Sequence, residues 1–192
     1  MPRTKSFDEA ETLDKAKEVF WQKGYNGTPP QDILDGTGLS RSSLYDTYGD
    51  KRSLFIKTLH RYRQTDTAAA IEMLDASADP VLTIRRIFHA AYGHFTTDQP
   101  RKGCMMVNTL NEVAPHDEEV GNIVRENRRA LEDAYARAIK RGQRQGRIAR
   151  THQPKALARF LVNSLWGLTT NLKLGLDKKA AADIVRITLS IL

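Results

Sequence analysis

Thr28-Pro-Pro-Gln-Asp-Ile-Leu-Asp-Gly-Thr-Gly-Leu-Ser-Arg-Ser-Ser-Leu-Tyr-Asp-Thr-Tyr-Gly-Asp-Lys51 reads as a helix, a tight turn and a second helix. The first helix is expected to open at Thr28, whose hydroxyl would cap the Gln31 N–H in a capping box, and to bury Ile33 and Leu34. Pro30 removes one donor near that start. Gly36-Thr37-Gly38 supplies residues able to take positive φ, which a short turn between steeply crossed helices requires. Leu39 plugs the angle. The second helix starts behind Ser40 and keeps Leu44 and Tyr48 on one face, four residues apart, so that Arg41, Ser42, Tyr45 and Asp46 project elsewhere.

That projecting face is short, polar and narrow, the shape that a major groove about 12 Å wide admits. Arg41, with its planar fork, is the candidate to read a guanine, and the neighbouring serines Ser42 and Ser43 present small hydroxyls. The helix starts at Thr28, Ser40 and Lys51 offer free N–H groups and partial positive charge to phosphates. Positioning and base reading are then separate tasks. An αα-hairpin buried in a helical bundle would carry a similar pattern without touching DNA. The charge distribution limits the DNA reading in one respect. The 192-residue chain has a net charge of +7, yet residues 1 to 52 hold eight Lys or Arg against nine Asp or Glu. Contact with a polyanion would rest on a few placed cations and helix ends rather than on a basic surface.

Outward from this stretch, apolar residues recur at three- and four-residue spacing almost throughout, so the expected fold is all-α with about nine helices. Ala10, Leu13, Ala16 and Phe20 line a first helix, widened by Val19 and Trp21 and closed by Gly24 and Gly27. Ser40, Asp50, Asp79 and Asp177 stand as caps before later helices, and Pro80 suits a first helical position. Breaks are expected at Asp98-Gln99-Pro100, Ala114-Pro115-His116, Gly142 to Gly146, Gln153-Pro154 and Gly175. No repeat of 30 to 50 residues is present, which argues against a solenoid. A compact N-terminal unit would end near residue 50, with a helix from Lys51 tying it to a larger body.

Residues Gly24 to Thr28, Leu39 to Tyr45 and Tyr48 to Phe55 resemble the TetR/AcrR family of bacterial transcriptional repressors in their spacing, turn glycine, Leu44-Tyr45 pair and terminal Lys51. The resemblance covers about residues 6 to 66. It implies a three-helix DNA-binding domain with its helix-turn-helix at about 29–48. A helical ligand-binding body over 67–192 would then dimerise through its last two helices. Carried over by position, Thr28, Ser40, Tyr45, Thr47 and Lys51 match phosphate-contacting positions, while Arg41, Ser42 and Tyr45 match base-proximal ones. Many members have Gly or Ala where Ser42 stands and His near Asp46 or Thr47, so the operator does not follow by analogy.

In the body, Phe88, Tyr92 and Phe95 form an aromatic stripe ahead of Cys104-Met-Met-Val107. The stripe reads either as core or as the wall of an inducer cavity, with Tyr135, Trp166 and Thr169 as further liners. Cys104, the single cysteine, follows Arg101 and Lys102 at an expected helix start. Those are conditions that lower a thiol pKa, so an electrophile or oxidant sensor stands beside the plainer reading of a small buried hydrophobe. Lys173 is the candidate amine partner. A single cysteine excludes an intrachain disulfide and every multi-cysteine zinc pattern. A metal-responsive regulator using Cys104 with His89, His94 or His116 is the alternative.

Six cations from Arg137 to Arg150, with no acid among them, read as a solvated face. The apolar runs Pro154 to Leu174 and Ala180 to Leu192 offer Leu161, Leu165, Leu168, Ile184 and Ile187 as a homodimer interface. Such a dimer would set two recognition helices about 34–36 Å apart. No HExxH, GxSxG or Gly-rich phosphate loop occurs, so no enzyme is expected and no cofactor is implied. No apolar run reaches the roughly 18 residues of a membrane span and Met1 to Glu11 is polar, which places the protein in the cytoplasm as an expectation. The reading that results is a repressor binding a palindromic double-stranded operator and released by a small-molecule or thiol-reactive inducer.

Overall fold

The computed structural model describes residues 7–93 and 102–192. Phe95 and the break expected at Asp98-Gln99-Pro100 lie outside them. The described residues are helical, with no strand among them: α1 (Glu9–Lys23), α2 (Pro30–Thr37), α3 (Arg41–Tyr48), α4 (Lys51–Tyr62), α5 (Ala68–Ala76), α6 (Pro80–Gly93), α7 (Met105–Glu112), α8 (Glu118–Arg144), α9 (Pro154–Leu174) and α10 (Lys178–Leu189). A single π turn, Arg63–Thr67, joins α4 to α5, so these ten segments make nine rods.

Side-chain caps fix most starts. Asp50 Oδ1 accepts from the Ser53 N–H at 2.6 Å, Asp177 Oδ1 from the Ala180 N–H at 2.9 Å and Asp79 Oδ1 from the Leu82 N–H at 3.1 Å. Asp8 and Asp117 cap α1 and α8 in the same way, two caps the sequence reading does not name. The capping box at Thr28 does not form. The α2 N-cap is Pro29, with no side-chain cap, and the Thr28 hydroxyl instead donates to the Gly24 carbonyl at 2.5 Å. Pro29 and Pro30 move the helix start beyond the reach of Thr28, which is enclosed in the α1–α2 loop.

In the α2–α3 turn the left-handed residue is Gly38, at φ 72°, whose N–H donates to the Leu34 carbonyl at 2.8 Å. Gly36 lies within α2 and serves a different purpose, since a Cβ there would sit 2.3 Å from Val19 Cγ2. Its absence lets α2 press against α1.

Two apolar clusters hold the molecule together. One gathers Leu74, Ile84, Phe88, Tyr135, Ile139, Leu157, Leu161, Leu168 and Val185 from α5, α6, α8, α9 and α10. The other gathers Ala16, Phe20, Ile33, Leu44, Tyr48, Leu54, Phe55 and Leu59 from α1 to α4, and is completed by Met105, Met106, Val120, Ile123 and Val124 of α7 and α8. Phe20 and Phe55 meet edge to face at 5.1 Å, and Tyr25 packs on Phe55 at 4.9 Å. The N-terminal helices therefore close their core with side chains from the body.

The cationic segment is not simply a solvated face. Arg137 forks onto Asp75 at 2.6 and 3.0 Å, Arg141 donates to the Leu74 carbonyl, and Arg147 pairs with Asp79. Three of its six cations thus tie α8 and its C-terminal loop to α5 and the α5–α6 loop.

Tyr135 is fully buried and its hydroxyl has no partner among the described residues, with desolvation raising its pKa. A buried group without a partner carries its full desolvation cost. Tyr135→Phe should therefore stabilise the protein by about 1 kcal/mol in urea unfolding; a loss of stability would mean that the hydroxyl is bonded in solution.

Candidate functional site

The α3 helix is held from beneath by Leu44 and Tyr48, both buried against the N-terminal core. At its start, Ser40 Oγ accepts from the Ser43 N–H at 3.2 Å, donates to Ser43 Oγ at 2.9 Å and lies 3.1 Å from Ser42 Oγ. Arg41 and Ser42 are exposed, while Ser43, Tyr45 and Thr47 are half-buried on the flanks. Lys51 opens α4 with its ammonium 4.5 Å from the centre of the Tyr25 ring. The expected contacts other than Thr28 thus lie along one short helix and the start of the next. Thr28 is enclosed, so its side chain has no surface to offer a phosphate.

Contacts with α7, α8 and the segment before α7 fix this unit on the body. The Glu112 carboxylate accepts from the Tyr25 N–H at 3.0 Å and the Asn26 N–H at 2.7 Å. Gly24 makes room for it: its φ is 77°, and a Cβ would fall 2.6 Å from Glu112 Oε2. The Trp21 indole N–H donates to the Gly103 carbonyl at 2.9 Å, and Lys102 pairs with Glu18 while lying 5.2 Å from the Trp21 ring centre. Arg52 forks onto Asp117 at 2.7 and 2.9 Å and reaches Glu119 at 2.8 Å. That fork holds the Asp117 carboxyl below its ordinary pKa.

A cavity of about 510 Å³ lies behind these contacts. Trp21, Tyr62, Ile87, Leu131, Leu165 and Trp166 give it apolar walls, with Asp66, Thr67, Lys102, Cys104, Asn127 and Thr169 among them. Cys104, Trp166 and Thr169 are where the sequence reading expects them. Phe88 and Tyr135 are not: both are core residues and do not line the cavity. Tyr92 borders a separate cleft of about 380 Å³ between α6 and α10, and its hydroxyl donates to the Lys178 carbonyl at 3.4 Å. Phe95 lies outside the described residues. Helical periodicity gave the right helices, yet the face that each turns to the cavity depends on neighbours contributed from α1 and α4.

Trp21, Tyr62, Asp66 and Asn127 were missed. Only Asn127 had a legible signal: it interrupts the apolar stripe Val120, Ile123, Val124, Leu131, Ala134 of α8 with an amide. A larger cleft of about 820 Å³ between α7, α8 and α9 is lined by Glu132, Asp133, Lys155 and Arg159, and Lys155 pairs with Asp133 at 2.7 Å across it.

Cys104 is the N-cap residue of α7, as expected, with its sulfur 3.7 Å from Tyr62 Oη. Its ionisation runs opposite to expectation. Burial pushes the thiol pKa up, outweighing the N–H groups of Val107 and Met106, and Lys102 is committed to Glu18. Lys173 passes nearby, its Cδ 3.4 Å from where a Gly103 Cβ would lie. Among the described residues no three His, Cys, Asp or Glu gather as a metal site; His89 lines the α6–α10 cleft, Cys104 does not, and His94 lies outside the described residues.

On α9 and α10 the five expected interface residues separate. Leu161 and Leu168 are buried in the protomer's own core and Leu165 lines the cavity. Ile184 and Ile187 are exposed, together with Phe160 and Leu174. The apolar face left to solvent is thus displaced from the Leu161–Leu168 stripe, which α8 already covers.

A helix-turn-helix with an exposed polar second helix, docked on a helical body with which it shares the walls of a cavity, has the build of a DNA-binding regulator. Comparison with known proteins agrees. Residues 13–58 match the family model described as bacterial regulatory proteins, tetR family, and residues 80–188 match that of the tetracyclin repressor-like C-terminal domain. The HTH-type transcriptional regulator YezE of Bacillus subtilis is 37% identical over 193 residues, covering 100% of both chains. The HTH-type transcriptional repressor ComR of Escherichia coli is 27% identical, covering 97% of this chain and 90% of its own. Among solved structures, a cysteine mutant of the TetR-family regulator CifR, complexed with operator DNA, has a TM-score of 0.84 at 24% identity and 98% coverage of each chain. The reduced form of Escherichia coli NemR also scores 0.84, at 16% identity and 94% coverage of each. The chain belongs to the TetR family and is a DNA-binding transcriptional regulator.

The docking geometry has a direct consequence. Glu112→Ala leaves two backbone N–H groups without their acceptor and should cost about 1–2 kcal/mol in chemical unfolding. A change below about 0.3 kcal/mol would mean that the carboxylate only decorates the loop.

Proposed function

We propose that the protein is a homodimeric repressor whose grip on a palindromic operator is released by a small molecule bound in the 510 Å³ cavity. The observation that carries this reading is that cavity and DNA unit share walls. Trp21 of α1 and Tyr62 of α4 line the cavity, and the same two helices pack beneath α3. A ligand that moves these walls shifts the recognition helix, and it releases DNA to the extent that it prefers the shifted state.

On this reading Ser40, Thr47 and Lys51 hold phosphates, Arg41, Ser42 and Ser43 face bases, and Tyr45 stands between the two sets. The division between a DNA-binding unit of about residues 6–66 and a body of 67–192 falls within the π turn. Dimerisation would use Ile184, Ile187, Phe160 and Leu174, the exposed apolar side chains of α9 and α10. The raised thiol pKa favours a reversibly bound inducer over a thiolate trigger at Cys104. A regulator with no catalytic constellation is read as a non-enzyme. No helix among the described residues is long and apolar enough to cross a membrane, and the cytoplasm is the proposed location.

Selection of a random DNA library with the full-length protein should enrich a palindrome. Arg41→Ala should then relax preference at particular bases, costing about 1–3 kcal/mol of discrimination. Lys51→Ala should weaken all sequences alike and reduce the salt slope by about one phosphate. No enrichment at low salt would overturn the proposal, and identical effects of the two variants would overturn the division of roles.

A further inference from the structure

The chemistry of the cavity wall narrows what it can hold. Its charged members are already matched in pairs. Asp66 Oδ2 accepts from Lys17 at 3.0 Å and from the Thr65 hydroxyl at 2.7 Å, and Lys102 pairs with Glu18. Among the described residues an anion entering the cavity finds no uncommitted cation in the wall, and the one carboxylate, Asp66, is already held by Lys17. Lys102 also occupies the Trp21 face that would attract a cation. Most hydroxyls are spent as well. Thr169 donates to the Trp166 carbonyl at 3.0 Å, and Thr67 donates to Asn127 Oδ1 at 2.9 Å.

Asn127 is different. It is 1% exposed, sits in the cavity wall, and no group among the described residues accepts from its Nδ2. The Thr67 hydroxyl engages the amide oxygen, which leaves the –NH₂ as the unsatisfied side of the group. Burying an amide without a partner is unfavourable, so a ligand that accepts from Nδ2 recovers what the folded protein forgoes. The remaining surface is apolar and rich in rings, with Trp21, Tyr62 and Trp166 around it.

The geometry points to a neutral, mainly aromatic ligand carrying one hydrogen-bond acceptor of the carbonyl class, seated with that oxygen on Asn127 Nδ2. This rests on the cavity being the inducer site and names the chemistry of its occupant. Both Asn127 and its orienting partner stand at a junction. Thr67 is the last residue of the π turn and Asp66, in the same turn, holds Lys17 of α1. A ligand engaging Asn127 therefore acts beside the turn that joins the two parts of the chain.

Four naphthalenes substituted at the same ring position separate the alternatives by calorimetric titration of the full-length protein: acetylnaphthalene, ethylnaphthalene, naphthoate and naphthylmethylammonium. Acetylnaphthalene should bind about tenfold or more tightly than ethylnaphthalene, which lacks only the oxygen, the size expected of a bond to an otherwise unpaired buried donor. Both ions should bind more weakly than the ketone. In Asn127→Leu the preference for acetyl over ethyl should vanish, and the wild-type ratio stands by itself if that variant fails to fold. Equal affinity of ketone and hydrocarbon, tightest binding by either ion, survival of the preference in Asn127→Leu, or no binding by any of the four would overturn the assignment. Retention of DNA is read separately by fluorescence anisotropy. Ketone binding by a protein that never holds DNA would sink the repressor reading and leave the ligand class standing, whereas DNA binding with no ketone preference would do the reverse.

Discussion

The DNA-binding helices cannot enclose their own hydrophobic core. With α2 and α3 only eight residues each, α1 to α4 leave one side of Phe20, Phe55 and Leu59 to be covered by Met105, Met106, Val120, Ile123 and Val124. A small helical unit buries too little apolar surface to be comfortably stable alone, so this borrowed cover is a condition of its folding. It also fixes where α3 stands relative to the body. The polar contacts along the same seam, from Trp21 to Gly103, from Tyr25 and Asn26 to Glu112 and from Arg52 to Asp117, add direction to a contact that hydrophobic burial leaves non-directional.

That seam is also where the cavity opens. A binding site enclosed in a separate body would need a chain of displaced elements to reach α3. Here Trp21 and Tyr62 belong to the wall and to the DNA unit at once, meeting edge to face at 5.1 Å. The π turn sits at the same level. Such turns insert one extra residue into a helix at a local cost and are concentrated at functional positions. In this chain it delivers Asp66 to Lys17 and Thr67 to Asn127, one facing α1 and the other α8. A shift in either contact acts on the rod that connects the two clusters.

The helix-turn-helix was legible because its signals are local: a turn glycine that takes positive φ, a serine cap, and two apolar residues four apart on a short helix. Helix starts at Asp50, Asp79 and Asp177 were legible for the same reason. The Thr28 cap failed because two consecutive prolines shift the helix start, a choice between two local solutions that composition does not settle. The cavity was harder. Phe88 and Tyr135 have the chemistry of liners, but α5, α9 and α10 close over them, while Trp21 enters from a helix more than eighty residues away in sequence from its partner Gly103. Cys104 stands at its expected helix start, but neighbouring cations and burial pull its thiol pKa in opposite directions, and sequence neighbours reveal charge but not burial. Leu161 and Leu168 failed as interface residues for a related reason. An apolar helix can face inward or toward a second copy, and only the packing of α8 against α9 decides which stripe is left exposed.

Native-state hydrogen exchange tests the shared core most directly. If α1 to α4 depend on α7 and α8 for their closure, the most protected amides of α1, α4 and the first half of α8 will exchange with one common free energy and one common denaturant dependence. Exchange of α1 to α4 through an opening several kcal/mol cheaper than that of α8 would contradict the account and make the DNA-binding helices an independent unit.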